Sequence, residues 1–323
     1  MGQPLIEVEG LRKLFPIKGG PLNARTLGHV RAIDGVSFTI DTGETFALVG
    51  ESGCGKTTTA RTILRLYTPD EGRVLLEGRD VHALTGDDLK AFRLAVQAVF
   101  QDPWASLNPR MRAGTLVAEA LVANQRLPKA EVKARVEALL ERMGFPAWKA
   151  DLFPYEFSGG QRQRIALASA LITGPKLIVL DEPVSALDLS VQAQVINLLK
   201  DIQEESQTTF LLIAHDLDTV RYVADRVGVM YLGQLVEETD TEELFENPKH
   251  PYTQALLNSR LPLHPKDRRE ELQVMGEAPS PMNPPAGCRF RTRCPFAMDV
   301  CTEVPARVQI AEGHSVACHL YSE

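Results

Sequence analysis

Apolar residues recur in two rhythms along this chain. LIEVE (Leu5 to Glu9), VSFTI (Val36 to Ile40) and TFALV (Thr45 to Val49) have strand character and alternate with stretches of helical period. RVLLEG and AVQAVF (Ala95 to Phe100) read as further strands, and KLIVL, FLLIA and VGVMYL as buried ones, with QLVEE following a turn at Gly233. Helices are predicted from about Lys56 to Leu66, from Pro128 to Met143, in SGGQRQRIALASALI and in SVQAQVINLLKDIQEE. Apolar strands interleaved with helices mark an α/β fold around a buried sheet. A mostly helical insert spans about 113–157, its clearest helix having proline in the first turn and Gly144 at C′. From about His250 the periodicity decays, and APSPMNPPAG reads as a Pro-rich connector to a last segment.

Composition narrows the function classes. With 323 residues, the length predicts about two domains. Charged residues at 24% and hydrophobic ones at 44% suit a folded chain rather than a disordered one. The net charge of −7, without a basic tail, argues against nucleic acid as partner. The opening MGQPLIEVEG has neither a basic nor an apolar stretch of a secretory signal, and Ile6 breaks the myristoylation pattern. No apolar run approaches the ~20 residues that cross a bilayer. The expectation is a cytosolic protein, in a compartment where disulfides are rare, reaching a membrane only through a partner.

The chemistry concentrates at three places. Gly50, Glu51, Ser52, Gly53, Cys54, Gly55, Lys56 and Thr57 satisfy G-x-x-x-x-G-K-[ST] between an apolar strand and a helix, the setting of a phosphate-binding P-loop. The glycines let N–H groups turn inward, and the helix adds its positive end. Lys56 would reach the β- and γ-phosphates, and the Thr57 hydroxyl would ligate Mg²⁺. An ordinary Gly-rich turn is the bland alternative, and Cys54 reads as an incidental small residue. KLIVLDEP ends a buried strand in two carboxylates. Asp181 would hold Mg²⁺ through its water shell, and Glu182 would polarise an attacking water. Ser158, Gly159, Gly160 and Gln161 form a capping box. Simple capping would explain it, but two consecutive glycines suggest that the backbone approaches something closely, a second anion-binding helix end. His215 follows FLLIA at another strand end; a capping or core role is its bland alternative.

FSGGQRQR, then LIVLDEP, SALD and AHD, in this order, resemble the ATPase subunit of ABC transporters over nearly all of Leu5 to Val236. The resemblance implies a P-loop ABC-type ATPase: a RecA-like core, an antiparallel β subdomain, an α-helical subdomain at about 102–157 and a small Cys-containing C-terminal extension. The ATPase domain is expected over 1–250 and the extension over 251–323. In that family the signature serine and glycines close over the ATP held by the other subunit. By resemblance Gln101 is the Q-loop glutamine touching Mg²⁺, Asp188 the D-loop acid at the dimer seam, and His215 the switch histidine on the γ-phosphate. Phe15 would stack on adenine, and Thr58 joins the P-loop residues around ATP. QDPWASLNPR, HPYTQALL and PSPMNPPAGCRFRTRC further resemble the F-type ATPase subunit of dipeptide and oligopeptide importers. Implied partners are a second, related ATPase subunit, two transmembrane permease subunits and an extracytoplasmic peptide-binding protein, at the cytoplasmic face of the inner membrane. Nickel chelate, haem or glycan are alternative solutes. A soluble ABC ATPase is the rival, disfavoured by the single ATPase domain and by the absence of sustained heptads.

The last segment carries four of the five cysteines and follows a proline-rich region, 10 of the 21 prolines lying after Leu244. Cys288, Cys294, Cys301 and Cys318 are spaced C-x5-C-x6-C-x16-C. Clustered thiols in a reducing compartment point to metal rather than disulfide. Without C-x-x-C the usual zinc spacing is missing, and four thiolates suit an iron–sulfur cluster whose charge Arg289, Arg291 and Arg293 could offset. Zinc and buried unmetallated thiols are the other readings. Resemblance to importer ATPases with this tail implies a [4Fe–4S] cluster.

Overall fold

The computed structural model describes residues 3–19, 26–102, 107–185, 187–259, 274 and 276–322. Pro103 to Ser106 of QDPWASLNPR and Ala186 of SALD lie outside the described residues. In chain order the strands are β1 (Ile6–Lys18), β2 (Thr26–Ile40), β3 (Thr45–Val49), β4 (Glu71–Leu76), β5 (Arg79–Asp80), β6 (Val96–Val99), β7 (Leu177–Asp181), β8 (Thr209–Ile213), β9 (Arg226–Tyr231), β10 (Gln234–Asp240), β11 (Arg307–Ala311) and β12 (His314–Ala317). The helices are α1 (Lys56–Ile63), α2 (Gly86–Ala95), α3 (Ala113–Asn124), α4 (Lys129–Arg142), α5 (Gly159–Leu171), α6 (Leu189–Ser206), α7 (Leu217–Val223), α8 (Thr241–Glu246) and α9 (Pro251–Asn258). Two compact units divide the chain, one of Met1–Leu5, Ile40–Thr45 and Leu76–Ile213, the other of Ile6–Thr39, Phe46–Leu75 and Ala214–Glu323.

In the first unit β6, β7 and β8 run parallel, with Val96 opposite Leu177 and Leu177 opposite Thr209. Every residue of β7 and β8 is buried, which is why both read as unbroken apolar runs rather than alternations. α6 buries Val195, Ile196, Leu199 and Ile202, one stripe at helical spacing. The helical insert packs α3 against both α4 and α5. Gly144, at φ +79°, stops α4 as its place in the sequence predicts.

In the second unit β3 pairs in parallel with β9, and β9 with β10 in antiparallel fashion. The β9–β10 hairpin turns through Leu232 and Gly233, at φ +44° and +83°, the left-handed pair that matches strand twist in a two-residue turn. Beyond β10 the sheet continues through β12 to β11, with Glu237 opposite Val316. The C-terminal segment, read from sequence as a connector and cysteine cluster, thus contributes two strands. A second sheet in this unit has the order β2-β1-β4, and both β1 and β2 run longer than their apolar cores suggest.

Candidate nucleotide-binding and hydrolysis site

β3 delivers the chain into the Gly50–Thr57 loop with three glycines at positive φ: Gly50 at +144°, Gly53 at +77° and Gly55 at +112°. A side chain at Gly50 would put Cβ 2.2 Å from the Met230 carbonyl oxygen, and one at Gly55 would put it 2.2 Å from that of Ala32. The loop is therefore pressed between two backbones, a packing that only glycine permits. Lys56 is 6% exposed, and its ammonium donates to the carbonyls of Gly50 (2.7 Å) and Glu51 (3.1 Å), inside the loop's curve. α1 starts at Lys56 with Gly55 as its N-cap and no side-chain cap bond, so a bound anion can take its first N–H groups. Burial raises the Cys54 thiol's pKa against the opposing pull of Lys56, in keeping with a neutral, space-filling residue. Ser52 is exposed, and Thr57 and Thr58 are half-buried. The half-buried Phe15 ring meets Tyr67 edge-on, with centroids 5.3 Å apart. His215 is exposed two residues beyond β8, just after Ala214 donates its N–H to Leu48 of β3 (3.3 Å).

Within the first unit, Asp181 closes β7 at 6% exposure, in register with Ile213. The next residue, Glu182, is held at φ +50° while its N–H donates to the Ile213 carbonyl at 2.9 Å. A non-glycine residue in left-handed backbone costs about 1–3 kcal/mol and persists where its surroundings over-determine it. Gln101, just past β6, donates from Nε2 to the Glu182 Oε2 at 2.7 Å. Two residues 81 apart in sequence, both predicted for the hydrolytic chemistry, thus meet side chain to side chain.

The signature segment is built as its capping-box pattern predicts. Ser158 Oγ accepts from the Gln161 N–H (3.4 Å), and the Gln161 Oε1 accepts from the Ser158 N–H (3.1 Å). The close approach that Gly160 permits is to Val191 of α6, whose Cγ1 would lie 2.1 Å from an added Cβ. Gly159 would meet only Leu187, at an ordinary 3.7 Å. Gly160→Ala should therefore push α5 off α6 and cost about 1–3 kcal/mol, whereas Gly159→Ala should leave the thermal midpoint nearly unchanged. Paired thermal melts of the two variants check this. Asp188 caps α6, accepting from the Ser190 hydroxyl (2.7 Å) and the Val191 N–H (2.9 Å). The Ser190 bond, then the Val191 N–H, hold its carboxyl below the ordinary range.

The C-terminal region touches the P-loop, which the sequence does not disclose. His250, Pro251 and Tyr252 open α9: the His250 Nδ1 accepts the Tyr252 N–H (3.0 Å) and Pro251 occupies the first turn. The buried Glu237 carboxylate receives the N–H groups of Lys249 and His250, each at 2.8 Å. Tyr252 is thereby aimed at the loop, and its hydroxyl accepts the Glu51 N–H at 2.8 Å. Arg293 donates to both oxygens of the Glu51 carboxylate, at 3.0 and 3.1 Å. Arg289, 5% exposed, pairs with Asp34 and donates to the Leu232 carbonyl. HPY and the alternating arginines were the available signals, but their partners lie hundreds of positions away.

His250 carries a pH consequence. Burial lowers its pKa from 6.5 to about 4, with Glu237 acting in the opposite direction. The folded chain keeps this ring neutral while the unfolded chain protonates it near pH 6.5. Stability is therefore complete above about pH 6.5 and falls as pH drops towards 4, by about 3 kcal/mol at 1.36 kcal/mol per unit. His250→Asn keeps a capping acceptor without the titration, so its melting midpoint should vary less over that range. Melts at stepped pH values check it.

The iron–sulfur expectation is corrected. Cys288, Cys294, Cys301 and Cys318 line one small pocket, but together with Phe290, Phe296, Met298 and Leu320. Among the described residues, no group of three or more His, Cys, Asp or Glu side chains is disposed to hold a metal ion. Burial raises the pKa of Cys288 and Cys294 and pushes Cys318 up to about 11. Arg289 and Arg293 do not serve to offset a cluster's charge: their partners are Asp34 and Glu51.

The residues do fit a magnesium nucleotide. Glycines a Cβ would obstruct and an inward-turned lysine suit polyphosphate. The Thr57 hydroxyl and the buried Asp181 carboxylate are hard oxygen donors of the kind Mg²⁺ prefers. A strand, Gly-rich loop and helix in the one unit, and a buried strand ending in acids in the other, are the elements of a P-loop nucleoside triphosphatase.

The comparisons give the family. A model described as ABC transporter matches residues 33–185, and one described as the C-terminal region of oligopeptide/dipeptide transporters matches 236–301. The oligopeptide transport ATP-binding protein AppF of Bacillus subtilis is 50% identical over 325 residues, covering 99% of this chain and 98% of that relative. The dipeptide transport ATP-binding protein DppF of Escherichia coli is 43% identical over 316 residues, covering 98% and 94%. Among solved structures, the dimeric ATP-binding cassette MJ0796 bound to ADP and Pi has a TM-score of 0.64 at 28% identity, covering 73% of this chain and 98% of that one. The chain belongs to the ATP-binding proteins of ABC transporters, in the group that holds AppF and DppF, and it is an ATPase. No helix among the described residues is long and apolar enough to cross a membrane.

Proposed function

We propose that this chain is the ATP-hydrolysing subunit of an importer for dipeptides or oligopeptides, working beneath two membrane permease subunits supplied by an extracytoplasmic binding protein. Likeness to AppF and DppF over essentially the whole chain, including the C-terminal region, supports the peptide reading. A second, related ATPase subunit is the partner we infer, since the signature serine and glycines of one chain would cover the nucleotide of the other. The assembly would sit at the cytoplasmic face of the inner membrane.

Lys56 and the N–H groups of Gly53 to Thr57 bind the β- and γ-phosphates in this reading. Thr57, Gln101 and Asp181 would hold Mg²⁺, which would neutralise charge on those phosphates. Glu182 orients the attacking water and accepts its proton. The observation that carries this assignment is the 2.7 Å bond from the Gln101 amide to Glu182, which fixes the carboxylate's direction. His215 steadies the γ-phosphate, and Phe15 stacks on the adenine. Asp188 lies at the seam between the two ATPases.

Purification of the tagged chain from its native membrane tests the proposal. Two polytopic membrane proteins and a second ATPase should accompany it, and peptide should stimulate ATP turnover only with the binding protein present. Isolation as a lone chain bound to nucleic acid would overturn it.

A further inference from the structure

Glu51 is an anomaly in a loop built for polyphosphate: its carboxylate repels the anion that the glycines and Lys56 attract. Four groups hold this residue. Its carbonyl accepts from Lys56 (3.1 Å) and from the Cys54 N–H (3.2 Å), its N–H is taken by the Tyr252 hydroxyl (2.8 Å), and both its carboxylate oxygens are taken by Arg293. Two of the four come from the C-terminal region. Arg293 is itself fixed: its side chain is 15% exposed, Nη1 lies 3.4 Å from the Tyr231 hydroxyl, and the guanidinium packs 5.9 and 5.8 Å from the Tyr231 and Phe290 ring centres. Its backbone N–H donates to the Phe290 carbonyl at 2.9 Å, tying the guanidinium to the compact turn of residues 288–294. Arg289, in the same turn, anchors it on Asp34 and the Leu232 carbonyl.

We propose that Arg293 is a positioning residue that neutralises and steers the Glu51 carboxylate, so that the loop's affinity for ATP depends on the docked C-terminal turn. The inference rests on the nucleotide-site reading above and adds a residue to it from outside the ATPase motifs. With Arg293 in place the carboxylate is drawn aside and its charge cancelled. Without it, an uncompensated negative charge stands on the loop, next to the residues that receive the phosphates.

The test is the affinity of the full chain for a fluorescent ATP analogue at low and high ionic strength. Arg293→Ala should weaken binding by roughly tenfold, the effect of one unneutralised charge at a partly solvated site. The deficit should shrink near 1 M salt, where the screening length is about 3 Å. Arg293→Lys, which keeps the charge but loses the planar donor, should retain most of the affinity. The decisive variant is Glu51→Gln combined with Arg293→Ala, which removes both charges and should recover most of the loss. Failure of the double variant to recover, or a deficit indifferent to salt, would mean that Arg293 merely holds the turn together and would overturn the proposal. Unchanged affinity in Arg293→Ala would overturn it too. Should that variant unfold, Arg293→Gln with and without Glu51→Gln makes the same comparison. Absence of analogue binding by the unaltered chain would instead strike at the nucleotide-site reading itself.

Discussion

Replacing Glu182 by glutamine is expected to lower ATP turnover by about a hundred- to ten-thousand-fold while leaving ATP binding intact. The substitution conserves size and preserves an oxygen that can accept the Gln101 amide bond of 2.7 Å. The left-handed backbone at φ +50° and the bond from its N–H to Ile213 are indifferent to the change. What disappears is the capacity to accept a proton from the attacking water. The variant should therefore melt like the unaltered chain and accumulate with ATP bound, trapping the closed dimer. Single-turnover hydrolysis with radiolabelled ATP measures the chemical step, and a near-normal rate would falsify the assignment of Glu182 as the base.

The second large effect is expected at Gly55. An alanine there must adopt φ +112°, and its Cβ would stand 2.2 Å from the Ala32 carbonyl oxygen. That neighbour is backbone, so no side chain can swing away. Left-handed strain of about 1–3 kcal/mol adds to overpacking of about 1–3 kcal/mol, and the loop can relieve both only by opening. Opening would carry Lys56 away from the curve it now fills, so ATP binding should fall below detection in an equilibrium titration. Gly53→Ala is the control, since its Cβ would meet nothing within 4 Å and only the backbone penalty applies. Equal losses in the two variants would mean that backbone conformation, rather than packing, governs the loop.

How much of this was legible beforehand differs by kind of residue. The P-loop could be read because polyphosphate binding demands glycine, lysine and threonine at fixed spacing beside a strand and a helix, and all of it is contiguous. β7 and β8 could be read because strands buried throughout tolerate only apolar residues. β11 and β12 were missed, being five and four residues long and alternating in burial, so their weak pattern resembles loop. α9 was missed for a similar reason: its eight residues begin with a proline, where periodicity has little length in which to appear. The arginines near the cysteines were assigned the wrong partners because ion pairs spanning 255 and 242 positions leave no trace in local spacing. The same limit produced the iron–sulfur expectation. Four cysteines at open spacing say nothing about whether apolar neighbours hold the thiols neutral.

The pairing of β10 with β12 also bears on how the chain folds. Glu237 and Val316 become neighbours only after the 78 positions between them close into a loop. Loop-closure entropy must be overcome before so distant a pairing yields any contact energy, and such pairings slow folding. The β9–β10 hairpin, with its two-residue turn, can form within about 1–10 μs. The pairing of β3 with β9 closes a still longer loop, Phe46 lying opposite Arg226, so the hairpin should form first, and the frame of the nucleotide loop and the restraint on Glu51 should both follow later. Refolding followed at the hairpin and at the nucleotide loop should resolve an early species whose β9–β10 hairpin is formed but whose P-loop has yet to take its place against β9.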